Sequence, residues 1–255
     1  MRDDKNIVTD NQDNKIKISQ VITIGGAFMG FVIGSSFASG QECLQYFTGH
    51  GVLGSIGAGV IALLLYVWFV SVIVEDGRYL KLHNSGKMFN FYLGKYIGFV
   101  LEWFTPIMLF FVYSMMISAS GSTFEEYYGI NSNIGRAAMI IASLATVLLG
   151  LDKLVKIVGR IAPVLLIVTI IIGIISIANN PGGIANADSQ LQEVKVHSNF
   201  ENWALSGFMY GAYTVTGVVP YLADIGKSAS TNKKNSLLGG LFGGGAFLIA
   251  VMILN

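Results

Sequence analysis

The segment GFVIGSSFASGQE, residues 30–42, places glycine, serine, glutamine and one carboxylate inside a long apolar stretch. Glu42 is the only charged residue in this segment. A carboxylate near a bilayer is costly unless its side chain faces protein or water. Because hydroxyl, amide and carboxylate groups can replace the hydration of a polar solute or an ion, these residues are the first candidates for function.

The same segment favours a helix that stops, exposes backbone groups to a cavity, and begins again. Backbone outside a helix is tolerated at membrane depth only where it lines such a cavity. Close packing through small residues explains Gly25, Gly26 and Gly30 equally well. For Glu42 two interpretations stay open: it carries a proton, binds an ion or gates a pathway, or it simply reaches the outer headgroup region.

A second polar interruption is predicted in WALSGFMYGAYTVTGVVPYLADIG, residues 203–226. Gly211 and Gly217 permit bending, and Pro220 removes one helical hydrogen bond. Two interrupted helices at corresponding places of oppositely directed halves are typical of a transporter binding site. The sequence therefore predicts that this stretch faces residues 30–42.

The elements that must position these residues are membrane helices. Hydrophobic residues make up 53% of the 255 residues and charged residues 12%, about half the charge of a soluble domain. Apolar stretches near the ~20 residues needed to cross a bilayer follow one another. They predict an all-α polytopic membrane protein with about seven spans: Ile18–Phe47, Val52–Val74, Ile97–Ala119, Ile134–Leu151, Leu154–Ala178, Trp203–Ala223 and Leu237–Leu254.

The basic residues orient these spans. With the N-terminus inside, fourteen of the sixteen lysines and arginines fall in cytoplasmic segments, and only Arg136 and Lys195 fall outside. This asymmetry predicts a multi-pass protein of the cell membrane with its N-terminus in the cytoplasm.

Other classes of function have little support. The sequence has no phosphate-binding loop, no nucleophile elbow and no paired catalytic carboxylates, so we expect no enzyme. A metal site is not expected either, because Cys43 is the only cysteine and the three histidines are isolated. Topology explains the basic residues better than nucleic-acid binding does. The expected partners are the lipid bilayer and a small solute, with no cofactor apart from a coupling sodium ion or proton.

Two stretches resemble a known family. GFVIGSSFASGQECLQYFTGHG, residues 30–51, and YGAYTVTGVVPYLADIGKSASTNKKNSLLGGLFGGG, residues 210–245, resemble the first and sixth helices of the YkvI family of bacterial membrane proteins. That family is in turn similar to the LeuT-like transporters with two inverted five-helix repeats, the amino acid–polyamine–cation and sodium-symporter group. The chain departs from the first motif at Ser35 and Ser36, where a small residue and glycine are expected.

The resemblance implies a division of the chain and a binding site. Residues 1–17 would be a polar cytoplasmic N-terminus, 18–178 the first five-helix repeat, 179–202 an outer loop, and 203–255 helices six and seven. The implied site would lie where helices one and six unwind, with Glu42 as a coupling or gating residue. The substrate-binding residues would be Gly34, Ser35, Ser36, Ala38, Ser39, Gly40, Gln41, Tyr113, Tyr210, Tyr213, Thr214, Thr216 and Gly217.

Two functions follow as hypotheses. The first is a secondary transporter of an amino acid or similar zwitterion, coupled to sodium or protons. The second is a membrane remnant or sensor component that does not transport, because the five-plus-five fold needs three more helices and the sequence looks truncated after the seventh.

Overall fold

The computed structural model describes residues 16–34, 37, 40–179, 198, 200–228 and 232–254. Within residues 151–163 it describes side chains only for Lys153 and Ile161. The secondary structure in these ranges is helical, which confirms the predicted all-α class. The helices are α1 Ile18–Val32, α2 Gln41–Tyr46, α3 Gly51–Leu80, α4 Met88–Tyr128, α5 Ser132–Leu148, α6 Leu151–Asn179, α7 Trp203–Ser228 and α8 Lys233–Leu254, with 3-10 turns at Thr48–His50 and Ser85–Lys87.

Three of the described segments are long and apolar enough to cross a membrane: Gln41–Leu80, Ser85–Tyr128 and Lys233–Leu254. Ile18–Val32 and Ser132–Leu148 are shorter apolar helices, and Val164–Asn179 is the continuously described apolar part of α6. Helix α7 has the length, but its glycine, threonine and tyrosine residues keep its hydropathy lower. The chain is therefore a helical membrane protein, while the number of seven spans and the orientation stay predictions.

The core lies where α3 packs against α7 on one side and α8 on the other, with α1 against α8. Its largest side chains are fully buried aromatic rings from all four helices or the segments beside them. Phe28 and Phe247 both contact Tyr66 edge-on, at ring-centre distances of 4.9 and 5.4 Å. Aromatic pairs prefer this geometry because the positive edge of one ring meets the negative face of the other.

The glycines of these helices let the backbones approach closely. A Cβ built on Gly25 of α1 would lie 2.7 Å from the carbonyl oxygen of Gly239 and 3.1 Å from the amide of Gly243, both in α8. Gly25 is thus a packing glycine, one of the two alternatives for this position. Small residues at such contacts are how membrane helices associate without a hydrophobic driving force.

Helix contacts also give relative directions. Helix α3 runs parallel to α7, because Ala58 meets Gly207 at one end and Gly77 meets Ala223 at the other. Helix α8 runs antiparallel to α3, since Gly240 lies against Val67 whereas Leu248, later in α8, reaches Gly59, earlier in α3. These directions are compatible with the predicted order of crossings.

The predicted interruption of the sixth span is wrong, because α7 is one continuous helix from Trp203 to Ser228 with Pro220 inside it. The polar residues of this stretch do not expose the backbone. The hydroxyls of Thr214 and Thr216 each donate to the carbonyl four residues earlier, at 2.9 and 2.8 Å. Threonine can bond its own helix in this way, so its polarity does not require unwinding.

The two glycines expected to bend α7 instead receive neighbouring side chains. Gly211 lies against Leu65 of α3, and Gly217 lies against Phe31 of α1 and Met108 of α4. A missing Cβ makes room for a partner as readily as it permits bending. The sequence alone does not distinguish the two uses.

Candidate functional site

The interruption of the first span is confirmed. Helix α1 ends at Val32, and Ile33 has φ −81° and ψ 79°, outside the helical region. The amide of Gly34 donates to the carbonyl of Val32, 2.9 Å away, which is a tight turn rather than a helical bond. Phe37 is helical, and α2 begins at Gln41 after the left-handed Gly40. Four residues of the predicted site, Ser35, Ser36, Ala38 and Ser39, lie outside the described residues.

Gly40 is the N-cap residue of α2. Its φ of 77° and ψ of −5° are in the left-handed region, and it directly precedes α2. Because a Cβ costs roughly 1–2 kcal/mol in this conformation, glycine suits the position. No atom of the described residues lies within 4 Å of where its Cβ would be. Gly40 is therefore selected by its backbone conformation and not by crowding.

Glu42 and Tyr210 join the interrupted helix to α7. The hydroxyl of Tyr210 donates to the Oε2 atom of Glu42 over 2.8 Å. Tyr210 is only 1% exposed, and Glu42 is partly buried. A phenol that donates to a carboxylate disperses its charge, and such charge-assisted bonds are stronger than neutral ones. Two residues predicted for the site thus meet directly, although 168 positions separate them in the chain.

Aromatic rings surround this contact. Tyr210 packs on Tyr46 and Phe47 from the end of α2, with ring centres 5.0 and 5.2 Å away, and stacks on Phe247 of α8 at 5.5 Å. The ring of Tyr210 is therefore fixed by aromatic neighbours, and its hydroxyl is held at the position from which it reaches Glu42.

Two further buried hydroxyl groups are linked to the backbone of Tyr210. The hydroxyl of Tyr66 on α3 donates to Oγ1 of Thr214 over 3.2 Å, and Thr214 donates to the carbonyl of Tyr210. Thr214 is 5% exposed. Tyr66 was missed in the sequence, although a tyrosine in the apolar run ALLLYVWFV is itself a signal that its hydroxyl needs a partner.

The short helix α2 is held in place by a serine of α7. The hydroxyl of Ser206 donates to the carbonyl of Tyr46 over 2.7 Å. Ser206 is fully buried. It therefore fixes the end of α2, and with it the backbone that carries Glu42. Ser206 was not predicted, because a serine near a helix start is more often a cap.

The remaining α7 candidates do not all face the interrupted helix. Gly217 does, through Phe31 of α1. Thr216 lines a different cavity of about 330 Å³, shared with Trp68 of α3 and Phe89 of α4. Tyr213 is 45% exposed. Substrate binding by these residues stays a prediction, and the geometry groups Tyr210, Thr214 and Gly217 apart from the other two.

Helix α4 crosses beside the site but does not present Tyr113 to it. Met116 lies against Gly34, and Met108 lies against Gly217. The hydroxyl of Tyr113 hydrogen-bonds Ser143 of α5 instead. Met116 is thus an α4 side chain that reaches the interrupted segment. Gln41, another predicted site residue, is exposed.

The comparisons with known proteins support a membrane location. The chain is similar to the uncharacterized membrane protein YkvI of Bacillus subtilis (strain 168), with 26% identity over 216 residues. The similarity covers 84% of this chain and 60% of the length of that relative. No known family profile matches the chain, and no solved structure matches it. The relation to LeuT-like transporters stays a prediction.

Proposed function

We propose that this chain is the site-bearing part of a secondary transporter for a small solute, an amino acid or similar zwitterion, coupled to sodium or protons. The observation that supports the proposal most is the interruption of the first span beside the contact between Glu42 and Tyr210. Irregular backbone at membrane depth marks a lined cavity, and a carboxylate there is functional by default.

The roles follow from the chemistry of each group. Backbone carbonyls at the C-terminal end of α1 would bind the ammonium group or a cation. Glu42 would carry the coupling ion or proton. Tyr210 would give up its hydrogen bond to the Glu42 carboxylate when the ion or proton arrives. Because α7 is continuous, alternating access is proposed around one interrupted helix that moves against an intact one, not around two interrupted helices.

The test is uptake by the purified 255-residue chain in proteoliposomes. Radiolabelled amino acids are supplied under an inward sodium or proton gradient, and binding is measured separately on the same preparation. We expect gradient-driven accumulation, and at least a tenfold loss of it in Glu42→Gln. The matched control is Glu126→Gln, the same exchange at an exposed position of α4, which should transport like the unaltered chain.

The outcomes separate the two hypotheses drawn from the sequence. Binding without uptake would favour a membrane component that senses a solute but does not transport it. Uptake that is equal in Glu42→Gln and Glu126→Gln would remove Glu42 from the coupling mechanism. If the chain neither binds nor takes up any amino acid, the proposal is refuted.

A further inference from the structure

A second cavity lies between α4, α7 and the turn that precedes α4. Its volume is about 560 Å³, within the range of small-molecule sites. It reaches α7 at Pro220, ten residues beyond Tyr210. At 1.5 Å per residue this separates the two places by about 15 Å along the helix. The cavity is therefore distinct from the site at Glu42.

One carboxylate lies in the wall of this cavity. Glu102 accepts a hydrogen bond from the Nδ2 atom of Asn84 at one oxygen and from Nδ2 of Asn90 at the other, each over 2.9 Å. Both donors are neutral amides, so they orient the carboxylate without balancing its charge. Since a carboxylate can accept about four hydrogen bonds, Glu102 retains capacity for a cationic donor.

An unsatisfied hydroxyl lies one helical turn from Glu102. Thr105 also lines the cavity, is 1% exposed, and its Oγ1 atom has no hydrogen-bond partner in the part of the chain that the structure describes. Residues three apart lie on the same helix face. A buried hydroxyl without a partner is rare and needs an explanation, and a ligand in the cavity would supply one.

The rest of the wall is apolar and aromatic. Trp103, Phe110 and Phe111 line it together with Pro106 and Ile107. Aromatic rings accommodate an apolar body, and their faces attract a cation within about 6 Å. A single cavity is thus lined by a carboxylate, which can bind a cation, and by aromatic rings, which can contact an apolar group.

We propose that this cavity binds an organic ammonium ion, a primary amine on an apolar body. The ammonium group donates to Glu102 and to the free lone pairs of Thr105, and the apolar body lies against Trp103 and Phe110. Such a group has three donors and one positive charge, which match a carboxylate and a hydroxyl. The amine is either a free solute or the ethanolamine headgroup of a lipid, and these share the same chemistry.

The probe is radiolabelled 2-phenylethylamine, bound to the full chain in nanodiscs of phosphatidylglycerol. Binding should be saturable and should fall at least tenfold in Glu102→Gln. The control, Glu125→Gln, is the same exchange at an exposed position of α4 and should leave binding unchanged. The neutral analogue 2-phenylethanol has the same body and should not compete. Nanodiscs that contain phosphatidylethanolamine identify the source: loss of amine binding there assigns the site to the lipid, and retained binding assigns it to a free amine.

Several results would overturn this assignment. Equal binding in Glu102→Gln and Glu125→Gln would exclude the carboxylate, and competition by 2-phenylethanol would show that charge is irrelevant. Absence of saturable binding to the unaltered chain would exclude the site. Should Glu102→Gln not fold, Thr105→Val removes only the unsatisfied hydroxyl and should weaken binding several-fold; unchanged binding in that variant would count equally against the proposal.

Discussion

A close backbone approach of α3 and α7 supports a quantitative prediction about packing. Gly207 of α7 lies against the backbone of Ala58 of α3. A Cβ built on Gly207 would be 2.3 Å from the carbonyl oxygen of Ala58 and 2.7 Å from its Cα. Non-bonded carbons reach their optimum at about 3.5–4.0 Å. In Gly207→Ala the helices must therefore separate locally by at least about 0.8 Å, because backbone cannot rotate away as a side chain can.

The magnitude follows from two opposing effects. Overpacking of this size costs typically about 1–3 kcal/mol, whereas replacing glycine by alanine inside a helix gains up to about 1 kcal/mol of propensity. The control is Gly245→Ala in α8, where no atom in the described part of the chain lies within 4 Å of the added Cβ. Since both exchanges carry the same propensity gain, the difference between them isolates the packing cost. Gly207→Ala should be less stable than Gly245→Ala by about 1–3 kcal/mol.

The assay is reversible unfolding in mixed micelles of dodecyl maltoside and increasing dodecyl sulfate, followed by tryptophan fluorescence and circular dichroism. A second variant, Ala58→Gly with Gly207→Ala, tests the cause. It should not restore stability, because the clash is with the backbone of residue 58 and not with its methyl group. Equal stability of Gly207→Ala and Gly245→Ala would refute the close approach of the two helices.

Two further stability predictions use the same unfolding assay. Gly40→Ala should lower the free energy of unfolding by about 1–2 kcal/mol through its left-handed backbone alone. Gly40→Asn should lower it less, because asparagine tolerates that region. An unchanged stability of Gly40→Ala would mean that α2 does not begin there as described. Tyr66→Phe should lower the free energy of unfolding by about 1 kcal/mol, because its hydrogen bond to Thr214 is lost. Tyr127→Phe, at a 76% exposed position, should leave stability unchanged. Equal stability of the two variants would argue against the buried hydrogen bond.

The interrupted first span shows what a local pattern can predict. The letters GSSFASG combine glycine with short hydroxyl side chains, and both have poor helix propensity for reasons contained in the residue itself. The helix accordingly ends at Val32, and the left-handed Gly40 separates the residues before it from the helix that begins at Gln41. The prediction for α7 was wrong because glycine and threonine have two uses there. Threonine hydroxyls bonded their own helix and glycines admitted neighbouring side chains, and only the packing partners decide between these uses.

The sequence by itself determined the helical class, the membrane location and the interruption of the first span after Val32. Hydropathy and backbone preference act within a few residues, so a local pattern is enough to predict them. The tertiary structure alone decided which polar groups meet. Glu42 accepts a hydrogen bond from Tyr210, 168 positions away in the chain. Tyr113 hydrogen-bonds Ser143 and not the residues of the site. These pairings depend on the rotation of each helix about its axis, which is set by the contacts of whole helix faces and not by any local run of residues.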